Sequence, residues 1–297
     1  MNVKIATAPC SWGVWYADGT PSGTPANVFL EQAEQAGYTA LELGPVGYLP
    51  TDTEILKQEL DKHHLTICAG TVCQSFDQFK SFQDFQPTIA DLCARLQKLD
   101  VPYIVAMDES NVGKYSELKK GMLRETWVGY IKMIKEMAEF TKQEYGIEIL
   151  YHPHIKSLVE YENEIVDLMD IANVNLCFDT GHHAYCNGGY EVGDRSALAF
   201  LEKYADRIPY LHFKNVDPVV RKKVIDEHID ADTAFDIDVM CDLKDGIIDF
   251  KQLTDRLRKI NFDGYAVIEQ DVPHATAQQA FASAKRNLEY LRSIEMI

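Results

Sequence analysis

The stretch "VNLCFDTGHH", residues 174–183, begins as a run of β-favouring, mostly apolar residues. It closes on a carboxylate at Asp179 and passes directly into a segment bearing His182 and His183. A strand that is apolar on both faces is one covered on both sides, as in parallel sheets flanked by helices. The same kind of run recurs in both directions from this stretch. Towards the N-terminus stand "IEILYH" (147–152), "YIVAM" (103–107), "LTICAG" (65–70), "ALELG" (40–44) and "VKIATA" (3–8). Towards the C-terminus stand "PYLHFK" (209–214) and "YAVIEQ" (265–270), which makes eight strands.

Helical patterns fill the intervals. Thr24 is placed to cap an N-terminus with Pro25 at the first helical position, and Gly37 suits the left-handed residue that ends that helix. Trp127, Ile131, Ile134 and Ala138 share a face, as do Phe281, Ala284, Leu288 and Leu291. Phe250, Leu253, Leu257 and Ile260 do the same behind Asp249 and Gln252, which are spaced like a capping box. Strands alternating with helices imply parallel strands joined by helical crossovers. The count of eight predicts an α/β fold closed as a (β/α)8 TIM barrel. The competitor, an open doubly wound sheet, calls for a Gly-rich phosphate loop after the first strand, and none follows. With no Ser/Gly linker, low-complexity run or charge block, residues 1–297 read as one domain.

Composition narrows the function. Hydrophobic residues at 46% and charged residues at 25% describe an ordinary globular protein. The net charge of −17 argues against a nucleic-acid partner, whose phosphates draw on Lys and Arg, and suits a cation. Seven cysteines without a C-x-x-C pair read as reduced thiols. The opening "MNVKIATAPC" lacks the succession of a signal peptide, and no apolar run approaches the ~20 residues of a membrane span. A cytoplasmic location without membrane attachment is expected.

The functional rim of such a barrel lies at the C-terminal ends of its strands. Histidines gather there: His152 and His154 after the fifth strand, His182 and His183 after the sixth, His212 late in the seventh, His274 after the eighth. His63 and His64 precede the third strand, on the opposite rim, where a solvated turn is expected. Asp179 and Glu269 close the sixth and eighth runs. Imidazole nitrogens and carboxylate oxygens from adjacent strand ends are what a divalent transition ion requires, with positions left open for substrate. His152, Asp179, His212 and Glu269 are the expected ligands.

The opening "APCSWGVW", with "YHPH", "CFDTGHHAYCNGG", "LHFKNVDP" and "AVIEQD", resembles the xylose isomerase-like barrels, and within them the inosose dehydratase (2-keto-myo-inositol dehydratase) branch. The resemblance extends over most of the chain, and the combination is more specific than any piece alone. It implies a cytoplasmic lyase of inositol breakdown using manganese or cobalt, with magnesium and zinc as alternatives. The implied substrate is a small polyhydroxylated cyclic ketone, 2-keto-myo-inositol (scyllo-inosose), dehydrated to a trihydroxycyclohexane-dione. The wider family's metal-binding glutamate, aspartate, histidine and glutamate correspond to His152, Asp179, His212 and Glu269. The first is a departure, which removes one negative charge and leaves open whether His152 binds metal or substrate.

For such a ketone, a cation gripping the carbonyl and a neighbouring hydroxyl would favour loss of the α-proton, and the departing hydroxyl then needs an acid. Lys214, two residues past His212, points to the same face by alternation. Lys214, Glu42 and His182 are the proton-handling candidates, with base and acid unassigned. Trp12, Trp15 or Tyr16 on the first loop can cover the C–H faces of a sugar-like ring, and His154 is a further substrate contact. The interval from Asn215 to Gly246 exceeds the usual ~2–6-residue loop and suits a lid or a homo-oligomer contact. A ketose isomerase or epimerase would use the same barrel and cation. Two further readings are an endonuclease for abasic sites, opposed by the acidic charge, and a non-catalytic sugar-binding barrel.

Overall fold

The structure, a computed structural model, describes residues 1–109 and 124–297. Its strands are β1 (Asn2–Thr7), β2 (Ala40–Glu42), β3 (Thr66–Gln74), β4 (Tyr103–Asp108), β5 (Glu148–Tyr151), β6 (Asn175–Asp179), β7 (Tyr210–Phe213), β8 (Asn215–Val216), β9 (Met240–Cys241) and β10 (Asp263–Ile268). Its helices are α1 (Ala26–Ala36), α2 (Thr53–Lys62), α3 (Gln86–Lys98), α4 (Arg124–Tyr145), α5 (Glu162–Ala172), α6 (Thr180–Asn187), α7 (Ser196–Lys203), α8 (Pro218–Glu227), α9 (Ala231–Asp236), α10 (Phe250–Lys259) and α11 (Ala277–Ser293). All strands but β8 and β9 close a barrel in the order β1-β10-β7-β6-β5-β4-β3-β2, every pairing parallel. Each of the eight expected strands lies in this ring, displaced by a few residues at its ends.

Strand alternation explains both the core and the site. Ala6, Ala40, Cys68, Val105, Leu150, Cys177, Tyr210 and Val267, one from each barrel strand, belong to a buried cluster inside the ring. A larger cluster joins the outward faces of the strands to the helices. Ala and Cys side chains are small, which leaves room on the axis for the Tyr210 ring. The next inward position lies two residues further along a strand. Those positions are Glu42, His152, Asp179, His212 and Glu269, with Lys214 one step beyond His212.

Local signals were met in part. Gly37 ends α1 with φ 104°. The cap of α1 differs: Pro25 is the N-cap, and the Thr24 hydroxyl donates to the Trp12 carbonyl at 3.3 Å. Asp249 caps α10 by accepting from the backbone N–H groups of Lys251 and Gln252, but the Gln252 amide donates to the Asp249 carboxylate instead of closing a capping box. His63 is not solvated; it is buried, with Nδ1 2.9 Å from Glu34. All seven cysteines are free. Among the described residues no helix is long and apolar enough to cross a membrane.

The long interval after β7 folds as an insertion. β8 pairs antiparallel with β9, and α8 and α9 lie between them. Asn215 anchors it: its Nδ2 donates to the carbonyls of Leu243 (2.8 Å) and Ile248 (2.9 Å), and its Oδ1 accepts from the N–H groups of Val216 (3.0 Å) and Ile248 (2.9 Å). A Cβ on Gly246 would sit 2.2 Å from Asn215 Cγ, so that position has room for glycine alone. His183 is also buried, on α6, with its ring against Phe178 (5.1 Å between centroids) and Phe200 (5.0 Å). Burial pulls its pKa down to about 4, against the opposing field of Asp194.

Asn215→Ala should lower the unfolding free energy by about 3 kcal/mol, because buried backbone groups lose their partners. Urea denaturation measures it, and a loss under roughly 0.5 kcal/mol would show that water replaces the amide. His183 makes a pH-dependent contribution. Its folded pKa lies below the unfolded value of about 6.5, so its stabilisation is complete above that value and is lost as pH falls towards 4. The slope for one such proton reaches about 1.4 kcal/mol per pH unit. His183→Phe should remove about one proton's worth of acid sensitivity when unfolding at pH 7 and 4.5 is compared; an unchanged slope would refute it.

Candidate metal centre

Ligand atoms of His152, Asp179, His212 and Glu269 all lie within 4.8 Å of one another, and all four residues are buried. The atoms facing inward are buried and have charged groups for neighbours: Asp179 Oδ2 is 3.1 Å from the Lys214 ammonium, and His212 Nδ1 faces two carboxylates. Glu269 Oε2 is 3.0 Å and Asp179 Oδ2 3.8 Å from His212 Nδ1. Donors bound at about 2.1 Å to one ion lie roughly 3–3.5 Å apart, so the cluster fits a divalent cation.

Each donor is held by its element. Asp179 caps α6: its Oδ1 accepts from the His182 N–H at 2.8 Å, which leaves Oδ2 for the centre. The other ring nitrogen of His212, Nε2, is 2.8 Å from Glu42 Oε1 and donates there. Burial alone would discharge the ring, but Cys177, Glu269 and Glu42 outweigh it and hold its pKa well up, so a bound cation would take the place of the Nδ1 proton. His152 Nδ1 lies 3.4 Å from the Cys177 carbonyl. Burial pulls the His152 pKa well down, reinforced by His212 and His154, so the ring is a neutral donor. Burial pushes Asp179 up, with Lys214 and His212 opposing. For Glu269 the same burial is outweighed by His212 and Lys214, which hold it well below the usual range.

Lys214 reaches into the same cluster. Its Nζ lies 3.1 Å from Asp179 Oδ2, 3.1 Å from Glu269 Oε2 and 2.7 Å from Asp271 Oδ2. Burial alone would discharge it, but Asp179, Asp271 and Glu269 outweigh burial and hold its pKa well up. His182 stands behind it, with Nε2 2.8 Å from Nζ, and burial, His154 and Lys214 keep its ring neutral.

These groups open onto a cavity of about 410 Å³. Glu42, His152, His154, His212, Lys214 and Glu269 are in its wall. His182 is not. Nor is Trp12, which was expected there: it ends the short helical turn after β1 and is fully buried, edge-on to Phe29 at 5.0 Å, with Nε1 donating to Gln32 at 2.7 Å. Trp15 and Tyr16 from the same loop do line the cavity. The insertion contributes Phe235, edge-on to Trp15 at 6.3 Å, so it forms part of the wall, as a lid would.

Sequence reasoning missed Asp271, Phe235 and Asp108. Asp271 shares the inward parity of Glu269 and was open to the same argument. Asp108 closes β4 and ties two loops together by accepting from the N–H groups of Phe76 (3.2 Å) and Leu158 (2.9 Å).

The fold and site together define a (β/α)8 barrel with a candidate cation centre at its C-terminal mouth. The chain belongs to the xylose isomerase-like TIM barrel family, whose model matches residues 30–294. It is 28% identical to the rhizopine catabolism protein MocC of Rhizobium meliloti, over 91% of this chain and 82% of that protein. It is 29% identical to inosose dehydratase of Mesomycoplasma hyopneumoniae (strain 7448), over 99% and 96%. A 1.8 Å crystal structure of the IOLI protein with a bound zinc atom superposes with a TM-score of 0.69 at 17% identity, over 98% of each chain, a likeness of fold.

Calorimetric titration with Mn²⁺ or Co²⁺ should give one ion per chain. Asp179→Asn should weaken it by more than the roughly 10–100-fold typical of an outer-shell change. Unaltered affinity in that variant would show that the ion binds elsewhere.

Proposed function

We propose that this protein is a divalent-metal-dependent hydro-lyase that removes water from 2-keto-myo-inositol to give a trihydroxycyclohexane-dione, a step of inositol breakdown. The observation that carries the reading is the buried His152/Asp179/His212/Glu269 cluster opening onto a cavity that also presents His154 and Lys214. The relatives named inosose dehydratase, matched over nearly their whole length, support the substrate. A donor set of nitrogen and oxygen without thiolate suits manganese or cobalt. When bound, the cation supplies Lewis-acid charge to a ketone oxygen and raises the acidity of the adjoining C–H.

The proton handling falls to His154. His154, a residue of the cavity wall, has Nδ1 2.6 Å from the Ile155 carbonyl and donates to it, which leaves the Nε2 lone pair free to act as a base. The C–H proton passes to Nε2, and the imidazolium then gives it to the departing hydroxyl, so the products are the dione and one water. Lys214 is poorly suited to give up its own proton, because three carboxylates hold it charged. Its part is to hold the three carboxylates in place and offset their charge beside the substrate. Glu42 acts on His212 and not on substrate protons, and Trp15 covers an apolar face of the ring.

Metal-stripped protein given 2-keto-myo-inositol and Mn²⁺ or Co²⁺ should release one water, read by mass. His154→Gln should lower kcat by about 10²–10⁴-fold while Co²⁺ binding stays intact. Product of unchanged mass would establish an isomerase or epimerase instead, and unchanged substrate with Mn²⁺, Co²⁺, Mg²⁺ and Zn²⁺ would remove the reading.

A further inference from the structure

Beneath the metal centre, on the barrel axis, lies a hydrogen-bonded column that the reaction does not use. Glu42 Oε1 accepts twice, from His212 Nε2 at 2.8 Å and from the Tyr210 hydroxyl at 2.9 Å. The Tyr210 Oη is in turn 3.2 Å from Cys68 Sγ, and since its own proton goes to Glu42, the thiol is the donor there. Tyr210, Glu42, His212 and Cys68 are all buried. Tyr210 and His212 are two residues apart on β7, whereas Glu42 comes from β2, three strands round the ring, so the link spans the barrel interior.

We infer that Tyr210 is a positioning residue of the metal centre: it fixes Glu42, and Glu42 fixes the tautomer and rotation of His212. The inference rests on reading His212 as a ligand. A glutamate has three side-chain torsions and by itself holds an imidazole loosely. The phenol has two, and its ring is wedged among the rings of Tyr103 (5.9 Å) and Tyr265 (6.1 Å), so its hydroxyl is a fixed point in the barrel floor. With Glu42 Oε1 pinned from below, the Nε2–H of His212 has one place to go. Nδ1 is then directed at Glu269 Oε2 (3.0 Å) and Asp179 Oδ2 (3.8 Å), where a cation would replace its proton. Partners of a ligating histidine orient it and raise its basicity, and their loss typically costs about 10–100-fold in metal affinity.

The test is a double-mutant cycle read by Co²⁺ titration, following both the dissociation constant and the visible d–d spectrum. Tyr210→Phe should weaken Co²⁺ roughly tenfold, the low end of the outer-shell range, and shift the d–d band. Glu42→Gln should weaken it further. The double variant should bind like Glu42→Gln alone, because Tyr210 acts only through Glu42. If the wild type shows no Co²⁺ spectrum, the metal-centre reading fails. If the wild type binds but Tyr210→Phe has the same affinity and spectrum, or the two penalties add, the role of Tyr210 alone is overturned. Should Tyr210→Phe not fold, ¹⁵N NMR of zinc-loaded wild type decides: Nε2 of His212 must carry the proton, and a protonated Nδ1 overturns the inference.

Discussion

Lys214 carries a positive charge where almost no water reaches, and the oxygens of Asp179, Glu269 and Asp271 lie within 2.7–3.1 Å of its Nζ. Transferring an ammonium or a carboxylate into a protein interior costs several kcal/mol per ion after relaxation, and mutual attraction offsets this only when geometry and hydrogen bonding are good. None of the four charges is tolerable there without the others. They form one unit, and two of its oxygens, Asp179 Oδ2 and Glu269 Oε2, also belong to the candidate metal donors. Lys214 therefore sets the charge of the barrel mouth, because any dication shares its anions.

The closed parallel ring makes such a unit possible. β6, β7 and β10 are consecutive neighbours, so inward positions just past their last apolar residues converge without any loop having to reach. The interior directly below is filled by apolar side chains from every barrel strand around the Tyr210 ring, which keeps the floor apolar apart from the column ending at Glu42. Above, Trp15 and Phe235 bring apolar rings to the wall from two elements distant in sequence. Electrostatic interactions strengthen as the effective dielectric falls, so the enclosure amplifies what the charges do.

This division explains what the sequence could disclose. Each barrel strand announces itself by its apolar run, and the polar residue that ends the run sits on the inner face by alternation alone. His152, Asp179, His212, Glu269 and Lys214 were legible for that reason. Loop geometry was not. Trp12 and Trp15 lie three residues apart, and the short helical turn at Pro9–Trp12 sends the first into the core and leaves the second in the cavity wall. Phe235 was hidden because its place depends on an insertion folding back over the mouth, anchored by Asn215 through bonds that span up to 33 positions. Glu42 was visible as a polar strand end, but its partner comes from across the barrel, and no local pattern records that.

His152 brings the centre a lone pair without a charge, and burial keeps it so. A dication would meet two carboxylates in its donor set, and Lys214 already draws on both. Attraction by net charge is correspondingly weak, and binding has to come from donors held ready, since little free energy remains to rearrange them. The surrounding shell meets that requirement at each point. The His182 N–H fixes one oxygen of Asp179, and Glu42 fixes one nitrogen of His212. α6 can sit close enough to β7 to do this because residue 181 is glycine: a Cβ there would lie 2.7 Å from the Lys214 side chain. A less anionic shell also leaves more of the cation's field for a neutral substrate oxygen. A neutral ring at position 152 thus goes together with neighbouring groups that are hydrogen-bonded in place by Glu42 and the His182 N–H.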